Sequence, residues 1–480
     1  MAAVDPTLPQ ALAARLGARL VETHISWVLL WDGQALKLKK PLRLPFVDYS
    51  TLAARRHCCE EELRLNRRLA PGLYTGLARI TGTPAEPVLD GPGEAIEFGV
   101  RMARFEDGAL FSERLDAGRL GPGAIDATAQ LLARFHAQAP ATAPDQPQGG
   151  APERRLAVAR AALAAAAAAL APGEASHAQA WLQAQAERLQ PAWAARLAAG
   201  RVREVHGDLH LANLVEMPDG SVAAFDGIEF DPALRWIDVA DDIAFPVMDL
   251  EAQGRRDLAF RLLNGWLDWS GDHGALAVLR FALASRALVR AQVGLLQGQS
   301  ARARRYVQAA LRWMAEPAPR LAITHGLPGA GKSFAAQHWL EREGAIRLRS
   351  DVERKRLFGL RQDQDSRSAG LDIYGPEAGA RTYAQLMGLA RAALAAGWPV
   401  VLDAAFLRRA EREAAAALAR SLGLPFAILH CEASATVLRE RLRTRQGDPS
   451  EADEAVLERL QAAHEPLDAD EAAHVIRLPD

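Results

Sequence analysis

One eight-residue run limits the architectures open to this chain more than any other: Gly326-Leu327-Pro328-Gly329-Ala330-Gly331-Lys332-Ser333. It follows an apolar, strand-like run, Leu321–Thr324, and opens a helical stretch. In that context the G-x-x-x-x-G-K-S spacing builds a loop whose backbone N–H groups converge on phosphate oxygens. Gly326, Gly329 and Gly331 let the backbone approach the phosphates. Lys332 is the residue that reaches the β- and γ-phosphates, and Ser333 the one that ligates Mg²⁺, so the motif implies ATP with Mg²⁺.

The segments after this loop alternate in character. Ile346–Leu348 reads as a strand ending at Ser350-Asp351, followed by a basic helix start. Pro399–Leu402 reads as a buried strand ending in Asp403, a metal or water holder at a strand end, and Pro425–His430 as another apolar strand. Strands alternating with helices imply a parallel sheet. Upstream, Glu316-Pro317-Ala318-Pro319 breaks the preceding helix and marks a boundary. A P-loop NTPase/kinase domain is therefore expected over residues 320–480.

At 480 residues the chain is too long for one ordinary core. Hydrophobic content of 49% and charged content of 24% are those of a globular protein. A formal net charge of −2 and 6% aromatics speak against a nucleic-acid partner. Three cysteines, two of them adjacent (Cys58 and Cys59), offer neither a disulfide framework nor metal spacing. The first residues lack a basic region followed by an apolar core, and no run of 18 apolar residues occurs. A cytoplasmic location without membrane attachment is the expectation.

The second informative stretch is Val205–Glu229, VHGDLHLANLVEMPDGSVAAFDGIE. Asp208 lies in H-G-D, Asn213 follows in a D-x-x-x-x-N spacing, and Asp226 ends a short apolar strand in F-D-G. Phosphoryl transfer needs positioning and charge neutralisation, which such oxygen ligands with Mg²⁺ supply. The arrangement resembles the catalytic loop and metal-binding Asp of protein kinases. Its departures, H-G-D for H-R-D and F-D-G for D-F-G, resemble the aminoglycoside phosphotransferase family, small-molecule kinases that share the protein-kinase fold. No A-P-E-like activation segment follows Asp226.

That resemblance implies a two-lobed α+β kinase-like domain over residues 1–316, with a small lobe of about 1–100 and a large lobe of about 101–316. It implies that Asp208 handles the proton of an attacking hydroxyl and that Asn213 and Asp226 hold Mg²⁺. His210, on the same loop, is a candidate to touch substrate. The kinase fold also requires a strand Lys paired with a helix Glu. Lys37 and Lys39 lie on one face of a strand, so either qualifies; the family's pattern around Pro41 favours Lys39. Glu62, seven residues before Leu69, matches the helix Glu.

The C-terminal half resembles small P-loop kinases such as gluconate kinase, shikimate kinase and chloramphenicol phosphotransferase. By position, Asp351 then orients an acceptor hydroxyl and Arg354 holds substrate. Arg441 and Arg445 match the arginine-bearing lid, and Asp403 or Asp351 assists the metal. The order of the halves resembles the bifunctional aminoglycoside phosphotransferase/ATP-binding proteins over essentially the whole chain. The implied activity is ATP- and Mg²⁺-dependent transfer to a hydroxyl of a small, sugar-like or aminoglycoside-like molecule, with two ATP sites. Two alternatives stand beside it: one catalytic module with a nucleotide-sensing partner module, or a polynucleotide or protein kinase.

Overall fold

The computed structural model describes residues 6–44, 47–142, 151–366, 368, 371, 373–444, 450–451 and 454–476. The chain forms two compact units. One comprises Met1–Ala161 and Leu182–Asp249; the other comprises Ala162–Trp181 and Leu250–Asp480. This division falls upstream of the proline-rich segment that marks a boundary in the sequence.

The first unit opens on a short helix, Thr7–Leu16, closed by Gly17. Its antiparallel sheet has six strands in the order Arg19–Glu22, Ser26–Trp31, Gln34–Lys39, Glu97–Ala103, Tyr74–Gly82, Pro87–Leu89. Asp32-Gly33 makes the expected two-residue hairpin, with both residues at positive φ. In the sequence Glu22–Leu30 alternates like a single strand, but two form. They separate because Thr23 turns the chain: its Oγ1 accepts from Ser26 N–H and donates to Ser26 O, both at 3.0 Å.

Helix Leu52–Asn66 packs on this sheet, its N-terminus capped by Thr51, whose Oγ1 accepts from Ala54 N–H at 3.1 Å. Pro71-Gly72 follows it, where a stop is expected. The sheet has an apolar cluster on each face: Cys59 and Leu63 of this helix pack with Ala35 and Val100, while Leu36 and Leu38 point to the other face and pack with Leu12 of the first helix. Farther along, the hairpin Leu214–Glu216 and Val222–Ala224 flanks the H-G-D loop, with Leu214 opposite Ala224. The strand Val202–Glu204 leading into the loop pairs with Trp236–Asp238.

The second unit holds a five-stranded parallel sheet. Its order is Ile346–Arg349, Val400–Asp403, Leu321–His325, Phe426–His430, Val475–Ile476. The first four strands match the alternation in the sequence. The two-residue fifth strand has no periodic signal and was not expected. Central strand Leu321–His325 is buried at every position, as a strand covered on both faces must be. Helices Arg256–Ser270, Leu276–Leu296 and Ser300–Met314 belong to the same unit. Among the described residues, no helix is long and apolar enough to cross a membrane.

Candidate active sites

In the first unit the chemistry is organised around Glu62. This residue is fully buried and receives two ammonium groups, Lys37 Nζ at 2.9 Å and Lys39 Nζ at 2.7 Å. The two lysines share a strand face but differ in everything else. Lys37 also binds the carboxylate of Asp226, which is half-exposed. Lys39 is 1% exposed and binds Glu229, which in turn accepts from the Tyr49 hydroxyl. Burial opposes charge on both lysines. The carboxylates outweigh it, Asp226 and Glu62 for Lys37 and Glu229 and Glu62 for Lys39, and raise both pKa values. Burial likewise resists ionisation of Glu62, but Lys37 and Lys39 hold its pKa below the ordinary value.

Distant polar groups fix the F-D-G turn. Asp226 adopts φ +63, and its N–H donates to the Tyr74 hydroxyl at 3.0 Å. Gly227 N–H donates to Asn66 Oδ1 at 2.8 Å. The H-G-D loop is held from below by Asp242, a fully buried carboxylate that accepts from Gly207 N–H at 2.8 Å and faces His136 Nε2 at 3.0 Å. Asp249 accepts from Leu211 N–H at 2.9 Å. His206 meets the Phe225 carbonyl at 2.9 Å, and burial lowers its pKa. Asp208 remains partly exposed, with His210 Nε2 at 3.5 Å. Asn213 donates its Nδ2 to the Asp208 carbonyl at 2.9 Å, which orients its side chain beside the loop.

The second unit contains a cleft of about 2060 Å³ lined by the P-loop, Asp351, Arg354, Asp403 and Arg441. Gly326 has φ +144, and a β-carbon there would collide with the Cys431 carbonyl oxygen, so glycine alone suits the turn. Gly331 leads into helix Lys332–Glu343. Lys332 Nζ donates to Leu327 O at 2.9 Å and Ser333 Oγ to Asp403 Oδ1 at 3.3 Å. Asp403 is buried; among the described residues its Oδ2 has no hydrogen-bond partner, and it forms an ion pair with Arg349, whose Nε stands 3.7 Å away. Asp351 accepts from Arg354 Nη1 at 2.6 Å, and the Arg354 guanidinium lies 4.7 Å from the centre of the Tyr374 ring. Burial, followed by the charge of Asp351, pushes the Tyr374 hydroxyl up to about 12. Arg441 Nη1 reaches the Gly329 carbonyl at 3.1 Å. Arg445 lies outside the described residues.

The residues lining the P-loop cleft are of the kind that hold a nucleotide with Mg²⁺. The glycine-shaped loop, the Ser333–Asp403 contact and the buried Asp403 carboxylate suit a phosphate-bound metal. Among the described residues no group of three or more His, Cys, Asp or Glu side chains is placed to hold a metal unaided. Sequence reasoning missed Tyr49, Tyr74 and Asn66, which shape the first site, and Tyr374 in the second. Each is remote in sequence from the motif it serves, and no local signal marks it.

The model of the Phosphotransferase enzyme family matches residues 59–279, and that of an AAA domain matches residues 321–467. The chain is 32% identical over 456 residues to Uncharacterized protein Rv2004c of Mycobacterium tuberculosis (strain H37Rv), covering 92% of this chain and 89% of that one. Uncharacterized protein Mb2027c of Mycobacterium bovis matches to the same extent. Among solved structures it is similar to a choline/ethanolamine kinase family protein from Mesorhizobium loti, with 11% identity, TM-score 0.35, and 63% and 99% of the two chains covered. It is also similar to a sugar kinase from Janibacter sp. HTCC2649, with 21% identity, TM-score 0.26, and 33% and 84% covered. Scores this low leave the assignment to the family models and the full-length relatives. The chain belongs to the family of these mycobacterial proteins, and is itself a phosphotransferase enzyme with a kinase-like domain followed by a P-loop domain.

Proposed function

We propose that the chain is an ATP- and Mg²⁺-dependent small-molecule kinase with a nucleotide site in each unit, transferring phosphate to a hydroxyl of a sugar-like or aminoglycoside-like compound. The observation that carries this reading is Lys37, held between Glu62 and Asp226. An ammonium so placed can exchange its contact with Asp226 for phosphate oxygens while Glu62 keeps it in position. Asp226 and Asn213 would then hold Mg²⁺, which when bound neutralises charge on the phosphates. Asp208, partly exposed on the adjoining loop, would take the proton of the acceptor hydroxyl. Lys39, sealed beneath by Glu229 and Tyr49, is the structural member of the lysine pair.

In the second unit the P-loop amides, Lys332 and Ser333 would hold the phosphates, with Asp403 supporting the metal. Asp351 would orient the acceptor hydroxyl, and Arg354 would hold the acceptor. Arg441 is placed to stabilise charge on the transferring group.

The test uses the full-length chain, its Asp208→Ala and Lys332→Ala variants, and the double variant. Transfer from γ-labelled ATP is followed across a panel of hexoses, amino sugars and aminocyclitols. Each single variant should lose one activity and the double variant both. Absence of Mg²⁺-dependent transfer to every acceptor would overturn the reading.

A further inference from the structure

The helix that carries Asp351 and Arg354, Ser350–Leu357, has a second working face. Asp351 and Arg354 are one turn apart and border the cleft. Glu353 and Arg356 are also one turn apart and bound to each other. Arg356 extends Nη2 to the carbonyl of Asp268 at 2.7 Å and more weakly to that of Leu267 at 3.5 Å. Both carbonyls belong to the last turn of helix Arg256–Ser270, where a cation complements the dipole; Leu267 O already accepts from Gly271 N–H at 2.9 Å, whereas the N–H of Asp272 turns to Ser270 Oγ and leaves Asp268 O to the guanidinium. Gly271 closes that helix at φ +67, and a β-carbon there would lie 2.6 Å from Arg356 Nε. The turn is shaped around the guanidinium.

The same helix holds the strand that feeds Asp351. Ile346–Arg349 is an edge strand, and the outward groups of an edge need partners. Asn264 supplies them: its Nδ2 donates to Ala345 O at 2.8 Å, and its Oδ1 accepts from Arg347 N–H at 2.6 Å. A side-chain amide thus stands where a neighbouring strand would be. Arg347 Nη2 adds a bond to Asp268 Oδ2 at 3.2 Å. Strand and helix are therefore fastened, on both sides of Ser350, to one helix that lies outside the P-loop match at residues 321–467.

We infer that helix Arg256–Ser270 positions the acceptor end of the P-loop cleft, with Arg356 and Asn264 as the positioning residues. This rests on the reading of Asp351 and Arg354 as the acceptor-orienting pair. Neither positioning residue borders the phosphate loop, so their loss should move Asp351 relative to Lys332 and Ser333 while nucleotide binding persists.

The experiment uses the full-length chain carrying Asp208→Ala, which silences the first site. Within it, Arg356→Ala, Arg356→Lys and Asn264→Ala are compared by amide hydrogen exchange and by ATP turnover with water as acceptor. Arg356→Ala should speed exchange across residues 350–357 and leave that of 332–343 unchanged. Turnover should fall on the order of 10- to 100-fold at a KM for ATP within about twofold, the penalty expected for small misplacement of a reacting group. Arg356→Lys should recover part of the loss, and Asn264→Ala should reproduce it if Arg356→Ala does not fold. Unchanged exchange in 350–357 together with unchanged turnover overturns the inference. Turnover that does not need Lys332 overturns the nucleotide reading of this unit instead, and the exchange pattern still decides the clamp.

Discussion

Lys37 and Glu62 lie 2.9 Å apart inside the first unit, and Lys39 approaches the other oxygen of the same carboxylate at 2.7 Å. One acid thus serves two bases with different outlets, Lys37 toward half-exposed Asp226 and Lys39 toward buried Glu229.

The two lysines should separate cleanly on substitution. Lys37→Ala is expected to lower turnover at the first site on the order of 100-fold or more, as loss of a group aimed at transferring charge does. Lys39→Ala leaves Glu62 and Glu229 buried with less compensation and should cost about 3–5 kcal/mol of stability. Steady-state kinetics in a Lys332→Ala background, paired with denaturant melts, checks both. Equal effects of the two substitutions on activity and stability would sink the distinction.

Gly326 gives a second expectation. Gly326→Ala forces a β-carbon against the Cys431 carbonyl at a φ of +144. About 1–3 kcal/mol of strain should follow, with loss of nucleotide binding by the second unit. Calorimetric titration of ADP into an Asp208→Ala, Lys37→Ala chain, with and without Gly326→Ala, reads the effect; retained affinity would contradict it.

His325 carries a pH dependence. Its imidazole faces His430 at 2.8 Å across the Nδ1 atoms and His464 at a ring distance of 5.4 Å. Burial first, then His430, Arg412 and His464, push its pKa down to about 3, with Glu471 opposing. The unfolded chain protonates near pH 6.5 and the folded chain only near 3. The folded state therefore loses ground as pH falls between those values, and nothing is lost above pH 6.5. Melting midpoints from pH 7 to 4 should drop less steeply in His325→Gln than in the parent. Part of the slope will remain, because burial also lowers the pKa of His206 and His273.

Asp238 behaves oppositely. Burial opposes its ionisation, but Arg196 at 2.7 Å and Arg155 at 3.3 Å, with the Ala240 N–H, hold its pKa at about 2. Its stabilisation is complete above the unfolded pKa of about 3.9 and fades as pH falls toward 2. Asp238→Ala takes the carboxylate from buried Arg196 and leaves Arg155 only Asp241, at 3.3 Å, and should cost about 3–5 kcal/mol at pH 7, less at pH 2.5. Urea midpoints at both pH values test this, and a pH-independent loss would refute it.

The P-loop was legible because its chemistry is local: glycines, Lys332 and Ser333 sit in one turn between a strand and a helix. The hairpin at Asp32-Gly33 and helix Leu52–Asn66 were legible for the same reason. The distinction between Lys37 and Lys39 was not. Strand periodicity puts both on one face, and what separates them is Tyr49 and Glu229, brought in from other segments. Nor could the sequence reveal that Asn264 completes the sheet edge, since a buried helix asparagine has no pattern of its own. The prolines at 317 and 319 are a break in chain character, and the second compact unit takes in Ala162–Trp181 and Leu250 onward together with the P-loop segments.

Trp398 brings that last point to the bench. Its indole donates to the Leu276 carbonyl at 2.9 Å and packs tilted against Trp313 and edge-on against Phe260, with ring centres 5.7 Å and 6.2 Å away. A fragment cut at the prolines would keep the whole phosphate loop but bare this indole, and the Ile346–Arg349 edge would lose its amide cap. Such a piece would carry a sticky strand margin and an apolar scar, a recipe for inclusion bodies. A soluble P-loop fragment should instead start ahead of Arg256.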